Sequence, residues 1–228
     1  MIHVLRNIQR PPTEIIEAFR GQASATIHEA SGRKGYISSE IKQIEKGMKL
    51  CGPAFTVQCA AGDNMMLHKA LERAKPGDVL VVTVGGAYEY GYFGGLMATS
   101  AIARKLGGMV IEGCIRDSEE IIKMGFPIFA KGFSIRGTGK GVLGLINYPT
   151  VFGGRTINPG DLIVGDGDGL VCVRREDCGP VLEKTIARVN AEEIKAEALA
   201  GGVSSVVYNK LDKLFEECGL VEEDEIES

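Results

Sequence analysis

EYGYFGGLMATSAIARKLGGMVIEGCIRDSEE, residues 89–120, is the stretch around which the rest of the chain is organised. A glycine-rich turn, Gly91 to Gly95, opens a helix of small and apolar residues, Leu96 to Lys105. An apolar strand, Gly108 to Glu112, follows and delivers Arg116 and Asp117 at its far end. A glycine turn feeding a helix leaves free backbone N–H groups suited to an anion. An arginine beside an aspartate at a strand end supplies a carboxylate clamp and a ligand for a hard cation. Together they suggest an acid-binding metal site built from two loops. Asp117 also has a plainer reading. With Glu120 three residues on, it can form a capping box for the next helix.

Outward from this stretch the chain reads as α/β, with helices at both ends. Thr13 to Phe19 and Ser24 to Ala30 read as two short helices, the second ending at Gly32. His28, within the second, is more simply a packed or surface residue than a catalytic one. From Ile41 to Ala60 the pattern turns to β, with Cys51-Gly52-Pro53 as a turn and Ala54 to Cys59 as a half-buried strand. Asp63 or Asn64 then caps the helix MMLHKALERA, and the same helix start is a candidate wall of the pocket. Lys75-Pro76-Gly77-Asp78 turns into VLVVTV, and Asn158-Pro159-Gly160-Asp161 turns into Leu162 to Val164, two uses of one turn–strand device.

Phe126 to Ala130 reads as another strand. Residues 132–144, GFSIRGTGKGVLG, read as a mobile or wrapped loop; Arg136 and Lys140 could attract phosphate, but no phosphate-loop spacing is present. Gly165 to Gly169 lacks the calcium-loop pattern and reads as a hairpin turn. An amphipathic helix is expected over 179–200, then a short helix, Tyr208 to Cys218, and a frayed acidic end. All 228 residues are read as one domain, with 179–228 a helical extension packing on a neighbouring subunit.

Composition narrows the function classes. A net charge of -4 with no basic block argues against nucleic-acid binding. No apolar run approaches the ~18 residues of a membrane span, and the N-terminus lacks a signal-like core, so a cytoplasmic location is expected. The six cysteines form no CxxC pair and are expected to be reduced, buried thiols.

Several motifs together resemble one family: RNIQR, SATIHEASGR, GDNMMLHKA, KPGDVLVV, GYFGGLMATS, VIEGCIRD, FPIFAKG and NPGDLIVGDGDGLVCV. They are similar to the class II pyruvate aldolases acting on 4-hydroxy-4-methyl-2-oxoglutarate and 4-carboxy-4-hydroxy-2-oxoadipate, which are related to the regulator of ribonuclease E activity A. The resemblance implies a swivelling β/β/α-type fold, trimers or dimers of trimers, and a Mg²⁺ or Mn²⁺ site at a subunit interface. It makes Asp117 the metal ligand and Arg116 the residue that holds the substrate and stabilises the pyruvate enolate. By the same resemblance, backbone amides of Gly94, Gly95, Leu96 and Met97 would bind the pyruvate carboxylate. The resemblance also implies that a carboxylate from a neighbouring subunit's C-terminal helix reaches the site, with Glu192 the nearest match and Glu193 the fallback.

One departure stands out. The dedicated aldolases carry an acidic residue 21 positions before the arginine, where this chain has Gly95. Glu120, one turn beyond Asp117, is the candidate replacement for orienting a water of the ion's shell. The expected activity is therefore pyruvate release from 4-hydroxy-2-oxo acids, oxaloacetate decarboxylation, or both. Decarboxylation needs only an electron sink and should tolerate the change better. A non-catalytic regulator of a ribonuclease E-type enzyme is the alternative. A methyltransferase role lacks the strand–loop–helix glycine signature of a nucleotide-type cofactor.

Overall fold

The computed structural model describes residues 1–223. The chain divides into two units, 1–185 and 186–228. The first opens with helices α1 (Thr13–Phe19) and α2 (Ser24–Ala30). After them come β1 (Lys42–Gln43), β2 (Leu50–Gln58), α3 (Met65–Arg73), β3 (Val79–Thr83), α4 (Gly95–Ala103), β4 (Gly108–Ile115), α5 (Ser118–Met124) and β5 (Ile128–Phe133). The short strands β6 (Leu145–Ile146), β7 (Thr150–Phe152), β8 (Arg155–Ile157), β9 (Leu162–Gly165) and β10 (Leu170–Val173) close the unit. Helix α6 (Cys178–Ala200) starts there and continues into the second unit.

The class is mixed α/β, as the sequence suggests. The sheet order is β1-β5-β4-β3-β2-β9-β10, with β6 also paired to β2. Strands β2 to β5 run parallel, and the flanking strands are antiparallel. Parallel strands with both faces covered need apolar residues throughout, because alternate side chains enter opposite cores. VLVVT of β3 obeys this. Leu80 and Val82 join Phe55, Val57, Met109 and Ile111 beneath α3 and α4. Val79 and Val81 face the other way, toward Phe129, Phe152, Ile157 and Ile163. A third cluster packs Phe19 and Ile27 against β9, β10 and the buried start of α6.

Several expectations are corrected. Cys51-Gly52-Pro53 is strand rather than turn, because β2 pairs with β9 over Leu50–Pro53 before pairing with β3 from Ala54. Gly52 is needed for close approach, since a Cβ there would collide with the Gly77 carbonyl. The strand expected to be half-buried is buried on both faces. Strand β4 runs on to Ile115 past an irregularity between Ile111 and Cys114. Four cysteines are buried, Cys114 is half-buried and Cys218 is exposed; all are free. Burial pushes the Cys51 thiol up to about 11 and Cys59 to about 12.

In the second unit the single expected tail helix is two short ones, α7 (Ser205–Asn209) and α8 (Asp212–Glu217), separated by Lys210 in a left-handed conformation. The acidic end expected to fray lies partly outside the described residues. Among the described residues no helix is long and apolar enough to cross a membrane.

Candidate functional site

The two loops expected to form the site meet. Arg116 N donates to the Phe93 carbonyl at 2.9 Å, which ties the end of β4 to the glycine turn. The turn is braced from below by Tyr92, whose hydroxyl donates to the Ala87 carbonyl at 2.7 Å and accepts from Gly62 N at 2.8 Å. Asp117 takes a left-handed backbone, φ 56° and ψ 38°, and its side chain caps no amide of α5. The capping-box reading therefore fails. The carboxylate turns instead toward the start of α4, where Oδ2 accepts from Gly95 N at 3.1 Å and lies 3.8 Å from Arg116 Nε. Oδ1 has no protein partner among the described residues.

The glycines make this approach possible. A Cβ on Gly94 would lie 2.6 Å from Asp117 Oδ2. A Cβ on Gly95 would lie 2.7 Å from the Glu120 carboxyl carbon. Both carboxylates thus flank the first turn of α4, and the Glu120 carboxylate occupies space that any side chain at position 95 would need. Of the amides expected to bind a carboxylate, Gly95 N already serves Asp117 and Met97 N donates to the Gly94 carbonyl at 3.0 Å. The Gly94 and Leu96 amides have no acceptor among the described residues. The Leu96 side chain itself is 88% exposed.

A cleft of about 350 Å³ runs from Arg116 and Asp117 past Gly94 and Leu96 to Asn64, His68 and Lys140. The start of α3 therefore does line the site. Asp63 is the residue that binds the α3 entry, its Oδ1 accepting from Met65 N at 2.8 Å, while its Oδ2 accepts from Gly141 N at 2.6 Å and Val142 N at 3.1 Å. Burial alone would raise the Asp63 carboxyl, but these three amides and Lys140 outweigh it and hold it below the usual range. The loop over residues 134–144 is therefore wrapped, and Arg136 is stacked 4.0 Å over the Tyr90 ring. Asn64 is 5% exposed; its Nδ2 donates to the Tyr92 carbonyl at 2.8 Å, and its Oδ1 has no partner among the described residues. Burial and the Lys140 charge lower the His68 pKa. Asn64 belongs to the helix start expected as a pocket wall, whereas His68 and Lys140 were missed as residues of this site because they come from segments about 50 residues before and 20 after the Arg-Asp pair.

Residues 13–172 match the RraA-like family, described as Aldolase/RraA. The chain belongs to the RraA-like family. A provisionally named 4-hydroxy-4-methyl-2-oxoglutarate aldolase of Halalkalibacterium halodurans is 34% identical over 193 residues, covering 85% of this chain and 92% of that protein. The solved structure of an uncharacterized protein from Pseudomonas syringae pv. tomato superposes with a TM-score of 0.77 at 26% identity, over 86% of this chain and 97% of that one. Streptomyces coelicolor RraAS2, described as an unusual member of the RNase ES inhibitor RraA protein family, gives 0.75 at 28% identity, over 83% and 99%.

In this RraA-like chain no three His, Cys, Asp or Glu side chains converge as a metal cage among the described residues. The donor set fits a hydrated hard ion rather than zinc: Asp117 offers a free Oδ1 to solvent, with Glu120 nearby across the α4 N-terminus. Mg²⁺ keeps several waters and is held by one or two carboxylates. Glu192 lies on α6 in the second unit, 2.8 Å from Arg188 of the same helix.

Proposed function

We propose that the chain is a divalent-metal-dependent lyase that releases pyruvate from 4-hydroxy-2-oxo acids, from oxaloacetate, or from both. The observation that carries this reading is Asp117, held in a left-handed backbone with its carboxylate turned onto the α4 N-terminus beside Arg116. Backbone strain of this kind is tolerated where a side chain must be aimed.

Asp117 would hold Mg²⁺ or Mn²⁺ through Oδ1, and the ion when bound supplies Lewis-acid polarisation of the substrate's keto and carboxylate oxygens. The Gly94 and Leu96 amides offer donors for the carboxylate at a helix N-terminus. Arg116 would face the oxygen that gains charge as the C3–C4 bond breaks, and its guanidinium cannot lose its proton. In retro-aldol cleavage a base removes the C4 hydroxyl proton, the C3–C4 pair moves into the enolate, and C3 then takes up a proton to give pyruvate. Glu120, acting through a water, is the base. Decarboxylation dispenses with that base and needs only the electron sink.

The relative from Halalkalibacterium halodurans supports the aldolase reading through its name. Kinship with RraAS2 favours a second reading, a protein-binding regulator of a ribonuclease E-type enzyme. Homotrimeric or homohexameric assembly is part of the lyase reading, with Glu192 of a neighbouring copy reaching the site. Exposed apolar side chains near its mouth, Leu96, Phe133 and Ile135, support a covered surface there. Metal-dependent pyruvate release from either substrate, lost in Asp117→Ala, tests the lyase. Binding of a ribonuclease E-type partner with no turnover of either substrate would favour the regulator.

A further inference from the structure

A second concavity in the first unit shares no residue with the Arg116–Asp117 site. It encloses about 620 Å³, within the range of small-molecule pockets. Arg33, Lys34, Arg155, Arg174 and Lys184 line it, against the single carboxylate of Asp177. Such a surplus of positive charge is notable in a chain whose net charge is -4. A concave wall of one sign focuses the field and concentrates a small counter-ion more than a flat patch does.

The backbone that carries Arg33 and Lys34, and the Arg155 guanidinium, are also held in place. Gly32, Arg33 and Gly35 all have left-handed φ, at 74°, 59° and 91°. A Cβ on Gly35 would collide with the Cys172 carbonyl, and Cys172 N donates to the Gly35 carbonyl at 2.8 Å. The Lys34 carbonyl accepts from Ser31 Oγ at 2.8 Å and lies 3.0 Å from His28 Nδ1. Arg155 donates to the Tyr36 carbonyl at 3.0 Å, which fixes its guanidinium at the rim. Arg33 shares its charge with Glu29, whereas Lys34, Arg174 and Lys184 make no ion pair among the described residues. The exposed Tyr36 ring adds a face on which a planar group can lie.

We propose that this cleft binds a small phosphorylated metabolite, its phosphates held by Lys34, Arg155, Arg174 and Lys184. The site is independent of the lyase reading. Guanidinium forks and ammonium groups converging on one cavity match the several oxygens of a diphosphate, and enclosure disfavours an extended nucleic acid.

The test is calorimetric titration of the full chain with inorganic pyrophosphate and with ADP, at low and at physiological salt. Saturable binding of either probe is expected, one per chain and weakening with salt. It should fall at least about tenfold in the combined variant Lys34→Ala, Arg174→Ala, Lys184→Ala, since three charge-assisted contacts are removed. Arg116→Ala should bind as the parent does. These lysines and Arg174 are exposed, so the variant should fold; Lys184→Ala alone gives a second reading, with weaker affinity and a shallower salt dependence. Absence of saturable binding, binding unchanged in the combined variant, or loss of binding in Arg116→Ala would overturn the proposal.

Discussion

Asp117 has a left-handed backbone, and in the proposed lyase it would also carry the chemistry of the site. Aspartate and asparagine tolerate the left-handed region better than most side chains, because their short polar groups can bond locally. Asp117→Asn keeps an oxygen for the Gly95 amide but removes the charge. Its Tm should stay within about 3 °C of the parent, a stability change under about 1 kcal/mol, while metal-dependent turnover falls roughly 10³-fold. Calorimetry and pyruvate assay on one preparation check both halves. Asp63 works differently, by holding the wrapped loop to the entry of α3. Its folded pKa is depressed, so its contribution is present above the unfolded value and is lost as pH falls through the folded one. Asp63→Ala should cost about 2 kcal/mol at neutral pH, with the gap to the parent closing in acid. Denaturant titrations at several pH values check this; a gap that stayed constant or widened in acid would contradict it.

At the scale of elements, the start of α4 and the start of α5 are fitted to one another. Gly95 leaves space, and the Glu120 carboxylate fills it. Gly95→Asp alone should displace Glu120 and lower turnover by about tenfold or more, whereas Gly95→Asp with Glu120→Ala should recover most of the loss, since neighbouring residues couple non-additively. Steady-state kinetics of these two variants and of Glu120→Ala decide this. Simple additivity would mean that the two carboxylates are not equivalent. The PGD turns before β3 and β9 are a second fitted device. In each the aspartate is buried and accepts the amide three residues earlier, Lys75 N at 2.8 Å and Asn158 N at 2.9 Å. Their shared spelling was legible because the turn is local; its partners were not. Arg10 grips Asp78 with two bonds of 2.7 Å across 68 residues. Arg10→Ala strands a fully buried carboxylate and should cost about 3 kcal/mol, read as a Tm lower by about 8 °C.

For the molecule as a whole, what could be read from sequence was whatever is encoded locally. The apolar runs of β3 and β9, the glycine turn into α4 and the Arg-Asp pair are all short-range patterns, and the structure puts the last two side by side. What could not be read depends on distant pairing. Cys51-Gly52-Pro53 looks like a turn until β9, more than 100 residues later, makes it a strand. Residues 132–144 read equally as a mobile or a wrapped loop until Asp63 is seen to bind it. The Asp117 cap was plausible from spacing and failed because the carboxylate finds the α4 amide instead. The cationic cleft is assembled from residues near 33, 155, 174 and 184, none of which forms a basic block in the chain. Membership of the RraA-like family joins this chain both to proteins named as aldolases and to proteins described as ribonuclease inhibitors. Metal-dependent turnover that needs Asp117 would separate the two readings. The most direct measurement is pyruvate release from oxaloacetate and from 4-hydroxy-4-methyl-2-oxoglutarate, with Mg²⁺ or Mn²⁺ and then with excess chelator, in the parent and in Asp117→Asn. Metal-dependent release from at least one substrate by the parent, abolished by chelator and by the substitution, is the expected result; no release by the parent, or equal release by Asp117→Asn, would contradict the lyase account.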